Sequence, residues 1–240
     1  MKIVAKTMFF KDLNDMVRET TDKKIVIDEC FGQRFIASGS SGKEFTINGT
    51  PGNGLGYYLD GSNITVNGNC QEATGDTMND GTIVVHGNAG DGTGYAMRGG
   101  KIFVHGNSGY RTGIHMKSYQ DKVPVIVIGG AAGSFLGEYQ AGGKIIVLGM
   151  NTRQSDPVAP FCGNGMHGGK MFIRCTKDKL PRNMPKNIVA FKANKTQLKE
   201  IDKELTEYCK YFEEDKKKIL DHDFYILVPK SNNPFGEMYD

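Results

Sequence analysis

A five-residue unit, hydrophobic, any, hydrophobic, any, Gly, recurs in this chain at a fixed period. It reads Phe45-Thr46-Ile47-Asn48-Gly49, Ile64-Thr65-Val66-Asn67-Gly68, Ile83-Val84-Val85-His86-Gly87 and Ile102-Phe103-Val104-His105-Gly106, with starts 19 residues apart. The unit returns with looser spacing at 125–129, 145–149 and 171–175, and 35–39 is a weak first copy. Period-two alternation marks a strand, and a fixed period of this size marks a stack of such strands. The spacing therefore predicts an all-β solenoid of about seven coils.

Alternation assigns the faces. Phe45, Ile64, Ile83, Ile102, Val125, Ile145 and Met171 point inward, with Ile47, Val66, Val85, Val104, Val127, Val147 and Ile173. The outward column begins polar at Thr46 and Thr65 but continues Val84, Phe103, Ile126, Ile146, Phe172. The next outward column runs Asn48, Asn67, His86, His105, Ile128, Leu148. A solvated face is not this apolar. Either the chain's own C-terminal helix or a partner covers it. Val84, Phe103, Ile126, Ile146 and Phe172, with His86 and His105, thus form the candidate interface; full coverage by residues 196–220 would remove the partner.

Glycine keeps register with the strands. All glycines but Gly236 lie between Gly32 and Gly169. Gly52, Gly54 and Gly56, like Gly90, Gly92 and Gly94, read as corners, and so do the pairs Gly99-Gly100, Gly142-Gly143 and Gly168-Gly169. Glycine accepts the backbone that corners need and lets neighbouring chains approach closely. Met78, Met97 and Met116 share the 19-residue step and read as core filling.

Three segments follow: a cap over 1–24, the repeat region over 25–175, and a linker, helix and docking tail over 176–240. In the first, Ile3 and Val4 suggest a strand, and Leu13, Met16 and Val17 a helix capped by Asp12. In the last, Leu198, Ile201, Leu205, Tyr208 and Phe212 form a helical stripe with Thr196 as its cap. Phe224 to Val228 reads as a strand, and the stretch from Pro234 to Tyr239 as an extended tail.

The 30 basic and 27 acidic residues nearly balance, so no nucleic-acid or membrane footprint is expected. The start lacks a long apolar run, and five cysteines without a CxxC fit free thiols in a cytoplasmic protein. Gly163-Asn164-Gly165-Met166-His167-Gly168 matches a dinucleotide fingerprint in letters only, since a strand rather than a helix follows it. Cys162, His167 and Cys175 lack the four closely spaced ligands of a structural zinc site, and two histidines in one column make a thin metal site. No metal, cofactor or catalytic residue is assigned to this chain.

Several blocks resemble the GXGXG domain of glutamate synthase. They are Gly32-Gln33-Arg34-Phe35-Ile36-Ala37-Ser38-Gly39, Met97-Arg98-Gly99-Gly100-Lys101-Ile102, Gly137-Glu138-Tyr139 and Gly165-Met166-His167-Gly168-Gly169. The whole chain is similar to the stand-alone subunit found where that enzyme is split into separate chains. The resemblance implies a single-stranded right-handed parallel β-helix, with an N-terminal α/β cap and a C-terminal helix. It implies a non-catalytic structural subunit that bridges a glutaminase-type amidotransferase subunit and an FMN-dependent synthase subunit, FMN and an iron–sulfur cluster being carried by the partners. Lys2 stands where the family's glutaminase has a nucleophilic Cys, and there is neither a cysteine cluster nor length for a (β/α) barrel. The same domain in formylmethanofuran dehydrogenase and N-methylglutamate synthase-type complexes leaves the complex open, and self-association stays open too.

Two rivals fit the residues less well. A β-helical carbohydrate-active enzyme needs outward columns of acids and aromatics, not Thr, Asn, His and aliphatics. A left-handed hexapeptide acyltransferase needs one aliphatic every six residues.

Overall fold

The computed structural model describes residues 1–150, 152 and 156–230. The seven copies of the unit contribute β3 (Glu44–Thr50), β4 (Asp60–Asn67), β5 (Asp80–Val85), β6 (Lys101–Val104), β7 (Val125–Ile128), β8 (Ala141–Val147) and β9 (Gly168–Arg174), preceded by β2 (Lys24–Phe31), whereas the expected weak first copy at 35–39 lies in a left-handed connection and not in a strand. Before them come β1 (Lys2–Val4) and helix α1 (Phe10–Glu19); after them β10 (Ile188–Lys192), α2 (Lys195–Leu198), α3 (Asp202–Phe212), α4 (Lys216–Leu220) and β11 (Phe224–Pro229). The strands form one eleven-stranded sheet in the order β1-β2-β3-β4-β5-β6-β7-β8-β9-β11-β10. Steps from β1 to β9 are parallel, whereas β11 runs antiparallel to β9 and β10 antiparallel to β11.

This corrects the expected fold class. The strands make a single, open, mostly parallel sheet with helices laid against it, an α/β-like arrangement, not an all-β solenoid or right-handed β-helix. The connections explain the difference. They carry isolated bridges rather than strands, for instance Ala89 to Ser108 and Ser108 to Ala132, so among the described residues no second sheet forms behind the first.

Periodicity did set the register. Phe45, Ile64, Ile83 and Ile102 lie side by side across β3 to β6. The reading then slips by one residue. Ile102 pairs with Ile126, and Phe103 with Val127. Ile126 and Ile128 therefore belong to the inner core, and Val125 and Val127 to the outer one. All four residues of β7 are buried, so its sequence has no polar alternate to mark a face.

Apolar residues divide into two cores. The inner one holds Ile25, Ile47, Ile83, Met97, Ile126, Leu136 and Met171, with Leu13 and Val17 of α1. The outer one joins Phe103, Ile146 and Phe172 to Ile201, Leu205, Tyr208 and Phe212. Asp12 lies in the first turn of α1 rather than capping it, and Phe9 holds the cap position without a side-chain bond. Asn194, not Thr196, caps α2, exchanging hydrogen bonds with Gln197 in a capping box. The expected tail from Pro234 to Tyr239 lies outside the described residues.

Each connection has a repeating backbone. Three alternate residues lie in the left-handed region, as at Gly92, Gly94 and Ala96 (φ 64°, 68° and 49°) and at Phe135, Gly137 and Tyr139 (φ 62°, 61° and 54°). The middle residue faces the inner core. A methyl on Gly94 would run into Ile126 Cδ1, so the φ calls for glycine there and a larger residue would also displace the tip of Ile126. The outer two project away from the core. Backbone N–H groups of the connections are donated laterally, for example Ala73 to Asp91 O and Tyr139 to Asn164 O, both at 2.8 Å. This pairing leaves the connecting backbone satisfied without a second sheet.

Candidate interaction surface

The expected interface on the outer sheet face is occupied by the chain itself. Phe103, Ile146 and Phe172 have no exposed surface, and Val84 is buried. Ile201, Leu205, Tyr208 and Phe212 cover them, so this face is not free for a partner. Ile126, assigned to it from the sequence, lies in the inner core. Three ion pairs fasten the cover: Lys170 Nζ–Glu200 Oε2 at 2.6 Å, Lys144 Nζ–Glu204 Oε1 at 2.8 Å and Lys101 Nζ–Glu207 Oε2 at 2.6 Å. Lys101, Lys144 and Lys170 hold matching register positions on β6, β8 and β9, and the glutamates lie along successive turns of the covering segment. His86 and His105 meet the end of that cover: both rings pack on Phe212, and His105 Nε2 lies 3.1 Å from Glu214 Oε1.

The expected glycine corners divide by cause. Gly54, Gly56, Gly92, Gly94, Gly100, Gly143 and Gly169 have positive φ. Gly52, Gly90, Gly99, Gly142 and Gly168 do not. At these five a methyl would strike the backbone of a neighbouring repeat, as Gly99 would strike Asn79 O. Both causes are architectural. Gly163 and Gly165 likewise belong to a connection, and β9 follows them instead of a helix. Among the described residues no three His, Cys, Asp or Glu side chains are grouped to hold a metal. No helix among them is long and apolar enough to cross a membrane.

The free surface with built features is on the connection side. The outer left-handed positions hold glycine or alanine in some repeats but bulky residues in others: Tyr58, Arg111, His115, Phe135, Tyr139 and Phe161. A side chain in that region costs about 1–2 kcal/mol relative to glycine. Such strain, kept by large side chains at exposed positions, makes this the candidate surface. The side chains form two stacked columns. Phe135 and Phe161 stack at 5.1 Å with Arg111 5.6 Å over Phe135, and His115 stacks on Tyr139 at 5.1 Å with Tyr95 edge-on at 5.9 Å. Tyr58, Tyr139 and Phe161 are each more than two-fifths exposed.

A buried carboxylate ties the columns together. Glu138 accepts from Arg111 Nε and from Asn164 Nδ2, both at 3.1 Å. Beside it His115, Lys117, Tyr139 and His167 line an open cavity of about 570 Å³. Sequence reasoning missed this surface because it followed glycine columns for their glycines. The signal lay in the exceptions, where Tyr58, Arg111, His115, Phe135, Tyr139 and Phe161 stand in columns that also hold Gly54, Gly92 and Gly165.

Burial disfavours the thiolate form of all five cysteines. Burial pushes Cys162 and Cys70 up to about 12 and Cys30 and Cys175 up to about 11, so little thiolate exists near neutrality.

A layered sheet protein with structural glycines and a strained aromatic surface is thus defined, and comparison with known proteins gives its family. The chain belongs to the GXGXG motif family, whose model matches residues 14–230. It is 45% identical over 250 residues to the uncharacterized protein MJ1350 of Methanocaldococcus jannaschii, with 99% of this chain and 95% of that protein covered.

Proposed function

We propose that this chain is a non-catalytic structural subunit of a glutamate synthase-type complex, bridging a glutaminase-type amidotransferase subunit and an FMN- and iron–sulfur-bearing synthase subunit. Membership of the GXGXG family across residues 14–230 carries the reading. The layout supports it: conserving effort on architecture, the chain spends its glycines on stacking repeats and its helices on covering its own apolar face. The surface it leaves free is rigid and aromatic, the composition that protein interfaces favour. On this reading the partners dock on the connection side, not on the outer sheet face.

The test is affinity purification of the full chain from its native cell, with mass spectrometry and a flavin spectrum of the eluate. Recovery of a glutaminase-type chain together with an FMN protein is expected. Recovery of neither overturns the reading.

A further inference from the structure

The cavity beside Glu138 carries a second inference. Its side-chain groups are two imidazoles, an ammonium and a phenol, from His115, Lys117, Tyr139 and His167, and no acid lines it. Lys117 has no carboxylate partner among the described residues. The one acid next to the cavity in sequence, Glu138, is already held by Arg111 and Asn164. His167 Nδ1 lies 3.1 Å from Gly165 O; a carbonyl only accepts, so Nδ1 donates there, the ring is fixed in place, and Nε2 keeps an accepting lone pair. His115 is fixed by its stack on Tyr139, with ring planes 11° apart. An unpaired cation beside an imidazole that can donate is a site for an anion.

The backbone decides which anion. Phosphate sites rely on free backbone N–H groups at helix starts or glycine nests. Here the N–H groups of His115, Lys117, Tyr139, Ala141, His167 and Gly168 are all donated to carbonyls of neighbouring repeats, at 2.8–3.1 Å. With these six N–H groups engaged, side chains carry the binding, and they suit the two in-plane oxygens of a carboxylate. The volume of about 570 Å³ is that of a small-molecule site. We infer that this cavity binds a small organic acid through its carboxylate, with Lys117 as the charge partner, His115 as a flanking donor and Tyr139 and His167 as walls. The inference does not depend on the proposed function, because the site lies within one chain.

The test is a titration of the full-length chain followed by the histidine ring signals in NMR, with succinate as probe and inorganic phosphate as comparison. Succinate is expected to move His115 and His167 together along one saturable curve, while His86 and His105 on the helix side stay fixed. Lys117→Gln, at an exposed position, is expected to weaken that binding about tenfold, as loss of a charge-assisted hydrogen bond does. The inference is overturned if neither signal saturates, if phosphate binds as well as succinate, or if Lys117→Gln leaves the affinity unchanged.

Discussion

Phe212 stacks on His105, ring centroids 4.8 Å apart and planes 16° apart. This pair pins the end of α3 to β6, where the outer core meets solvent. Phe212→Ala removes the stack and the burial together and is expected to cost about 3 kcal/mol, the low end for a buried Phe→Ala change. A shift in the denaturation midpoint measures it. Amide exchange in α3 should rise before exchange in β3 or β4, since the inner core does not depend on the helix.

His86 packs edge-on against the same ring at 5.2 Å. Burial, and then the neighbouring His105, hold its imidazole below the ordinary value. The unfolded chain therefore takes up this proton more readily than the folded one. Stability is full above the unfolded value of about 6.5 and declines as pH falls through it toward the folded value. The groups facing His86 are His105, Phe212 and, through His105, Glu214. His86→Gln is expected to flatten the stability profile between about pH 7 and pH 5, read from denaturation midpoints. An unchanged slope contradicts this.

Glu204 is 6% exposed and its Oε2 has no hydrogen-bond partner among the described residues, so its charge rests on Lys144. Lys144→Met alone strands a buried carboxylate and is expected to cost about 3–5 kcal/mol. Adding Glu204→Leu is expected to restore most of the loss, because replacing both members of a buried pair with apolar groups is often neutral. A double-mutant cycle in urea separates the two cases. If the double variant is no more stable than Lys144→Met, the pair is not the unit proposed.

Gly92 and Gly94 are two residues apart in one motif, and the structure separates them. Both have positive φ, 64° and 68°. A methyl on Gly92 meets nothing within 4 Å, whereas one on Gly94 meets Ile126 Cδ1. Gly92→Ala is expected to cost about 1 kcal/mol, the backbone penalty alone. Gly94→Ala is expected to cost about 2 kcal/mol, since moving the tip of Ile126 in the inner core adds to the backbone penalty. Equal losses in thermal denaturation would mean that the inner face is not packed as described.

The strands were legible because each bears its own alternation, and the 19-residue period then aligned Phe45, Ile64, Ile83 and Ile102 without further help. Strand β7 was not, because Val125-Ile126-Val127-Ile128 is buried on both sides and its alternation is silent. The outer apolar column was visible as a covered surface, but a column says nothing of what covers it. Only packing of Leu205, Tyr208 and Phe212 decides that. The sheet's openness was hidden for a related reason. A period fixes the length of a repeat, not whether its connection pairs as a strand or turns through left-handed residues. The aromatic surface stayed unseen because φ is not written in a sequence, and Tyr139 or Phe161 looks ordinary until its backbone is known.

The proposed function is tested most directly on the connection side. Phe161 and Tyr139 sit at φ 67° and 54°, so Phe161→Gly and Tyr139→Gly relieve about 1 kcal/mol each of backbone strain, roughly offsetting the lost stacks. The double variant is therefore expected to stay folded, with a Tm near that of the native chain. The decisive measurement is recovery of partner chains by each protein from native-cell extract at equal load. The native chain is expected to bring down a glutaminase-type chain and an FMN protein, and the folded double variant to bring down neither. Equal recovery by both proteins, or no partner with the native chain, would contradict the account.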